Sequence, residues 1–199
     1  MIALTLLVVV AVYLGLCILA VRLTVRWAKR TGRSVKRWGI AAGLFMYLLV
    51  FWDHIPTLVL HKYYCATKAG FWVYKTPEQW KAENPGVAET LTWRNISKSY
   101  ENTDGSFGLR LNERFIKETR KTESVALPVT IIAEALVDVK TNEIMAKRIS
   151  VGSGYGALAL GGDDWQVFKF WMSLDACLPN QLELSLLREE FKTIGKEIK

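Results

Sequence analysis

The apolar positions of this chain are concentrated at one end. Residues 2–21 run without a charge and are dominated by Leu, Val, Ile and Ala. A helix needs about 20 such residues to cross a hydrocarbon layer about 30 Å thick. A second run, residues 38–60, is broken only by Asp53, His54 and Pro56. Two runs of this kind in the first 60 residues predict a transmembrane helical hairpin, because a soluble core has little use for two such apolar helices in succession. Pro56 is expected to kink or end the second helix.

Beyond Leu60 the pattern turns short and mixed. Residues 70–75 (GFWVYK) read as a strand. Thr76-Pro77-Glu78-Gln79 reads as a helix start, with Thr76 as N-cap, Pro77 in the first helical position and Gln79 closing a capping box. Asn84-Pro85-Gly86 ends that helix. A polar, less regular stretch follows as far as a turn at Asp104-Gly105. Residues 106–119 alternate around Phe107, Leu109, Leu111 and Phe115 and read as one strand. Residues 129–140 and 143–151 read as a hairpin turning at Thr141-Asn142. Residues 152–162, with five glycines, read as a loop, and 167–173 as a further strand. From Asn180 the apolar period becomes 3.6, through Leu182, Leu186, Leu187, Phe191, Ile194 and Ile198. Asn180 and Glu183 make a capping-box variant there. The expected fold is a two-helix transmembrane hairpin over residues 1–60, then a small α+β domain over 61–199: an antiparallel sheet with an amphipathic C-terminal helix lying on it.

Charge gives this arrangement a direction. The net charge of +7 suggests nucleic-acid binding until it is located. Arg22, Arg26, Lys29, Arg30, Arg33, Lys36 and Arg37 lie between the two runs with no acid among them, whereas residues 61–199 hold 19 basic and 18 acidic side chains. The excess belongs to a 22–37 loop, and a nucleic-acid partner is not expected. Short Lys/Arg-rich loops stay on the cytoplasmic side and are drawn to anionic headgroups. With that loop inside, the N-terminus and residues 61–199 are outside, which in a bacterium is the periplasm. The first run is not patterned as a cleavable signal, since its positive charges follow the apolar stretch. Trp27 and Trp38 would lie at the inner interface, and Trp52, Tyr63 and Tyr64 at the outer one.

Orientation in turn gives meaning to the cysteines. Cys17 falls inside the first run and reads as a small packing residue. Cys65 and Cys177 both fall in the exported part, where disulfides persist, and are expected to pair as a structural staple. Two separate buried thiols are the alternative.

Other candidate chemistry is sparse. Asp53 and His54 interrupt the second run, and ionisable groups at such depth are functional candidates. His54, His61 and Cys65 are spaced i, i+7 and i+11, roughly one helix face, as a metal or proton-relay group would be. A catalytic metal site normally uses three protein ligands, and the chain has two histidines in all. An interfacial or packing role is the expectation, with no metal or other cofactor. Gly152-Ser153-Gly154-Tyr155-Gly156 lacks both the dinucleotide-binding and the P-loop spacing. Asp163-Asp164 has no partner ligands at cation-binding spacing, and Ser153 and Ser173 have no positioned histidine.

Residues 51–91 (FWDHIPTLVLHKYYCATKAGFWVYKTPEQWKAENPGVAETL) resemble a group of uncharacterised bacterial membrane proteins carrying the HKYYC, AGFWVYKT and QWKAENPG strings, over about a fifth of the chain. The resemblance implies a bacterial inner membrane and supplies no activity. It directs attention to His61, Tyr63, Tyr64, Cys65, Phe71, Trp72, Tyr74, Trp80, Asn84, Pro85 and Gly86. Dense aromatics beside a bilayer suit contact with a protein or with the lipid interface. The expected function is a non-enzymatic, membrane-anchored accessory or assembly subunit that presents a periplasmic domain to other membrane or periplasmic proteins through Tyr63, Tyr64, Phe71, Trp72, Tyr74 and Trp80. The alternative is a small membrane-bound enzyme or a redox or transport accessory using Asp53, His54 and His61.

Overall fold

The computed structural model describes residues 2–101, 105–155 and 169–197. They form two units, Met1–Ile55 and Pro56–Lys199.

In the first unit, α1 (Ile2–Arg30) and α2 (Val35–Phe51) are antiparallel neighbours. Within α1, Leu7–Arg30 is long and apolar enough to cross a membrane, with mean hydropathy 2.5 and no burial of its apolar window. The seven basic residues form a loop only in small part. Arg22, Arg26, Lys29 and Arg30 lie in α1, Lys36 and Arg37 open α2, and Arg33 alone belongs to the connection. Arg and Lys are good helix formers, and Lys29 and Arg30 sit at the negative end of the helix dipole. The helix stops where Gly32 takes φ +66°. The Arg33 N–H then donates to the Ala28 carbonyl at 2.9 Å, satisfying a carbonyl the ended helix would leave open. Trp27 and Trp38 meet edge to face at 5.1 Å, with the Arg33 guanidinium 5.0 and 5.3 Å from their ring centres. The Tyr13 hydroxyl donates to the Met46 carbonyl.

The second apolar run is not one helix. It is divided at Trp52-Asp53 into α2 and α3 (His54–Thr67), which amount to a second candidate span only when taken together. The break falls ahead of Pro56, which is the third residue of α3. There a missing N–H costs nothing, because the first-turn donors have no acceptor within the helix.

The second unit is built on a seven-stranded sheet: β1 (Gly70–Val73), β2 (Thr92–Glu101), β3 (Phe107–Asn112), β4 (Phe115–Glu123), β5 (Val129–Asp138), β6 (Glu143–Ser153) and β7 (Lys196–Glu197), in the order β1-β6-β5-β4-β3-β2-β7. Strands β2 to β6 form a meander, and β1 pairs antiparallel with β6. The expected all-antiparallel sheet is in fact mixed, since β7 runs parallel to β2. Gly195 makes this pairing possible. It has φ +104°, and a Cβ there would stand 2.3 Å from the Leu91 carbonyl oxygen.

Several expectations change. The polar stretch after Gly86 contains β2, which pairs with β3 and β7 but whose residues, TWRNISKSYE, show no period-2 alternation of apolar side chains. Residues 106–119 are two strands, because Glu113-Arg114 turn the chain between β3 and β4. The last part of the 167–173 segment is a short 3₁₀ turn, Phe170–Met172. Residues 104, 156–168 and 198 lie outside the described residues, and with them Asp104, Asp163-Asp164, most of the glycine-rich loop, the start of the 167–173 segment and Ile198. The hairpin of β5 and β6 is as expected, with Asn142 in the left-handed region at φ 56°.

Two helices cover one face of the sheet. α4 (Pro77–Glu83) starts as read: the Thr76 hydroxyl accepts from the Gln79 N–H, and the Gln79 side chain accepts from the Thr76 N–H. α5 (Gln181–Lys192) is the expected C-terminal helix, but Asn180 makes no cap; it sits at φ 46° and its amide donates to Glu183 at 2.8 Å. The buried stripe is Leu184, Leu187, Phe191 and Ile194, while Leu182 and Leu186 face solvent. These residues pack with Trp80, Leu91, Leu111, Phe115, Leu136, Met145 and Ala146 into one core.

Candidate functional site

The helical period sets His61 and Cys65 one turn apart on the same face of α3. Cys65 is bonded to Cys177, 112 residues away, with Cα atoms 5.9 Å apart. Cys177 is held by a bridge to Val151 on β6, its N–H donating at 2.8 Å and its carbonyl accepting at 3.1 Å. The disulfide therefore fastens the last turns of α3 to the sheet. His61 is 5% exposed, and its Nε2 lies 3.6 Å from the Cys65 sulfur. Beside the two sulfurs opens a groove of about 560 Å³, lined by Leu58, His61, Lys62, Ala66, Leu174 and Asp175. Within the same helix the Thr57 hydroxyl is buried and has no hydrogen-bond partner among the described residues.

Substituting Cys177→Ser should lower stability by about 2–5 kcal/mol, the usual cost of losing a native disulfide. Denaturant unfolding of the detergent-solubilised chain would measure it, and reductant should move the wild type by a similar amount and the variant not at all. Equal midpoints for wild type and variant without reductant would refute a staple role.

The other expected site residues separate by burial. Tyr63, Trp72 and Tyr74 are 58%, 42% and 60% exposed. Tyr64 is half-buried, with the Lys68 ammonium 4.7 Å from its ring centre. Phe71 packs on the core. Trp80 does not belong with the surface aromatics: it is 1% exposed, stacked edge to face on Phe115, and its indole N–H donates to Asp138 at 3.0 Å. Asp53 is buried and His54 half-buried, and both belong to the first unit. Ser153 donates to the Met172 carbonyl and accepts from the Leu174 N–H.

Two buried charge groups escaped the sequence. Asp138 accepts from Arg114 Nε at 2.6 Å, from the Trp80 indole and from the Lys140 N–H. Burial by itself would push its carboxyl up, but these hydrogen bonds, that of Arg114 foremost, outweigh it and hold Asp138 below the usual carboxylate range. Glu134 behaves alike: burial opposes ionisation, and Lys117 at 2.5 Å together with Arg148 at 2.7 Å overcomes it. Asn112 completes the arrangement. Its amide donates to the Phe191 carbonyl at the end of α5, while its oxygen accepts from the N–H groups of Arg114 and Phe115. Only the turn residues Asn112-Glu113-Arg114 within an otherwise alternating segment could have signalled it.

Fold and site together define a class: an α+β sheet domain, closed by a disulfide, that follows apolar N-terminal helices of which one is long enough to cross a membrane. No family model, curated protein or solved structure matches the chain.

Proposed function

We propose that the chain is a non-enzymatic accessory or assembly subunit of the bacterial inner membrane. In this reading two passes anchor it, the basic turn around Arg33 is cytoplasmic, and residues 61–199 form a periplasmic interaction domain. The observation that carries it is the exposure of Tyr63, Trp72 and Tyr74, spread from the later turns of α3 through β1 to the residue after it. Tyr and Trp combine a large apolar face with a polar tip, and are the side chains that anchor protein contacts and bilayer interfaces. The uncovered apolar flank of α1 supports the anchor, because in water it would be a contiguous patch far larger than soluble proteins tolerate.

A photoreactive amino acid placed at Trp72 or Tyr74 in native membranes should yield a discrete crosslinked product, whereas one at the exposed loop residue Val125 should not. No product at either aromatic position, or the same product from Val125, would refute the contact surface. Reporter fusions after residue 33 and after Lys199 test the orientation, which a periplasmic signal from the first fusion would overturn.

A further inference from the structure

We propose that His61, Cys65 and Cys177 form a zinc site once a dithiol has reduced the bridge. This goes beyond the accessory reading and is independent of which side of a membrane the domain faces.

The donor set is already gathered. One imidazole nitrogen of His61 and the two sulfurs lie within 4.8 Å of one another, the only such group of histidine, cysteine or acidic side chains among the described residues. His61 Nε2 and Cys65 Sγ are 3.6 Å apart. With Zn–S near 2.3 Å and Zn–N near 2.0–2.1 Å, a tetrahedral ion holds sulfur and nitrogen roughly 3.5 Å apart. That pair thus stands at ligand separation without moving. The two sulfurs must part from bonding distance to about 3.8 Å, a change of about 1.7 Å that side-chain rotation supplies. Both protein walls are fixed: His61 is 5% exposed on α3, and Cys177 is hydrogen-bonded to β6 through both its backbone groups. The groove beside the sulfurs, with Asp175 on its rim, leaves one side open for a fourth ligand, carboxylate or water.

The chemistry balances. A dithiol transfers two electrons and two protons to the Cys65–Cys177 bond and leaves as its own disulfide, and the protein gains two thiols. Zinc then displaces both thiol protons and takes a lone pair from one nitrogen of neutral His61, whose other nitrogen keeps its proton. Two thiolates cancel the charge of the ion, so with water as the fourth ligand a neutral centre replaces a neutral disulfide. Two sulfurs and one imidazole select zinc over calcium or magnesium, which require oxygen ligands.

The test uses the full chain in detergent, reduced with a phosphine that does not itself bind zinc as a thiol would. Zinc is titrated against a chromophoric chelator, cobalt(II) is used as an optical probe of thiolate ligation, and far-UV circular dichroism follows the fold. One zinc per reduced chain is expected, with thiolate-to-cobalt charge-transfer bands. His61→Ala should weaken zinc binding by more than about tenfold, since losing even an outer partner of a ligand costs that much. Cys177→Ser should lose the charge-transfer bands, and His54→Ala should match the wild type. Three results would overturn the site: no zinc on the reduced chain, whether folded or not; equal binding by the oxidised chain; or equal binding by the His61→Ala variant. None of these touches the crosslinking result at Trp72 and Tyr74, so the two readings fail separately.

Discussion

Asp138→Asn is expected to destabilise the sheet domain by about 3–5 kcal/mol, the cost of leaving a buried cation without its partner. The carboxylate is fully buried and accepts from Arg114, the Trp80 indole and the Lys140 N–H. An amide of the same size can accept from at most some of these donors, and it leaves the Arg114 guanidinium uncompensated beside the Trp80 ring, 5.3 Å from its centre. Urea unfolding followed by tryptophan fluorescence would read the loss, and a change under about 1 kcal/mol would show that the pair contributes little. The pH dependence has a definite sign. A carboxyl whose folded pKa is lowered adds stability that is fully present above its unfolded value, about 4, and is lost as pH falls through the folded value. Asp138 and Glu134 both shift this way. Wild type should therefore lose stability as pH falls below about 4, and Asp138→Asn should lose less over the same range. Parallel curves for the two proteins would contradict the assignment.

The second large effect is in the core. Phe115→Ala should cost about 3–5 kcal/mol, as full truncation of a buried aromatic does. Phe115 is 0% exposed and stands between Trp80 at 4.9 Å and Phe191 at 4.8 Å, so it joins β4 to both α4 and α5. Phe115→Leu should recover more than half of that loss, because most of the volume is restored. Thermal or denaturant midpoints of the two variants measure both steps. A Phe115→Leu variant as unstable as Phe115→Ala would mean that ring geometry, and not buried volume, decides the site.

Features carried by contiguous residues were legible from the chain alone. The uncharged run in α1 and the Thr76–Gln79 cap need only neighbours within one helix, and both are present. The hairpin of β5 and β6 likewise declares itself over adjacent residues. Asn180 shows the limit of such reading: its N-x-x-E spacing fits a capping box, yet its backbone enters the helix from the left-handed region and its side chain reaches Glu183 instead. The stripe on α5 was shifted for a related reason, since which leucines are buried depends on how the helix is turned against the sheet.

Uncharged length near the N-terminus, the clustering of basic residues at its far end and the expected pairing among three cysteines are properties of composition along the chain, and they required no fold. The rest depended on distance closed by folding. Trp80 became a core residue because Asp138, 58 positions on, accepts its N–H. Asn112 became a clasp because α5 ends beside it, 79 positions on. His61 came to face a sulfur pair because β6 holds Cys177 against α3. Periodicity reports what a residue does within its own helix or strand; hydrogen bonds and packing between elements carry no local signature, and only the tertiary structure assigns them.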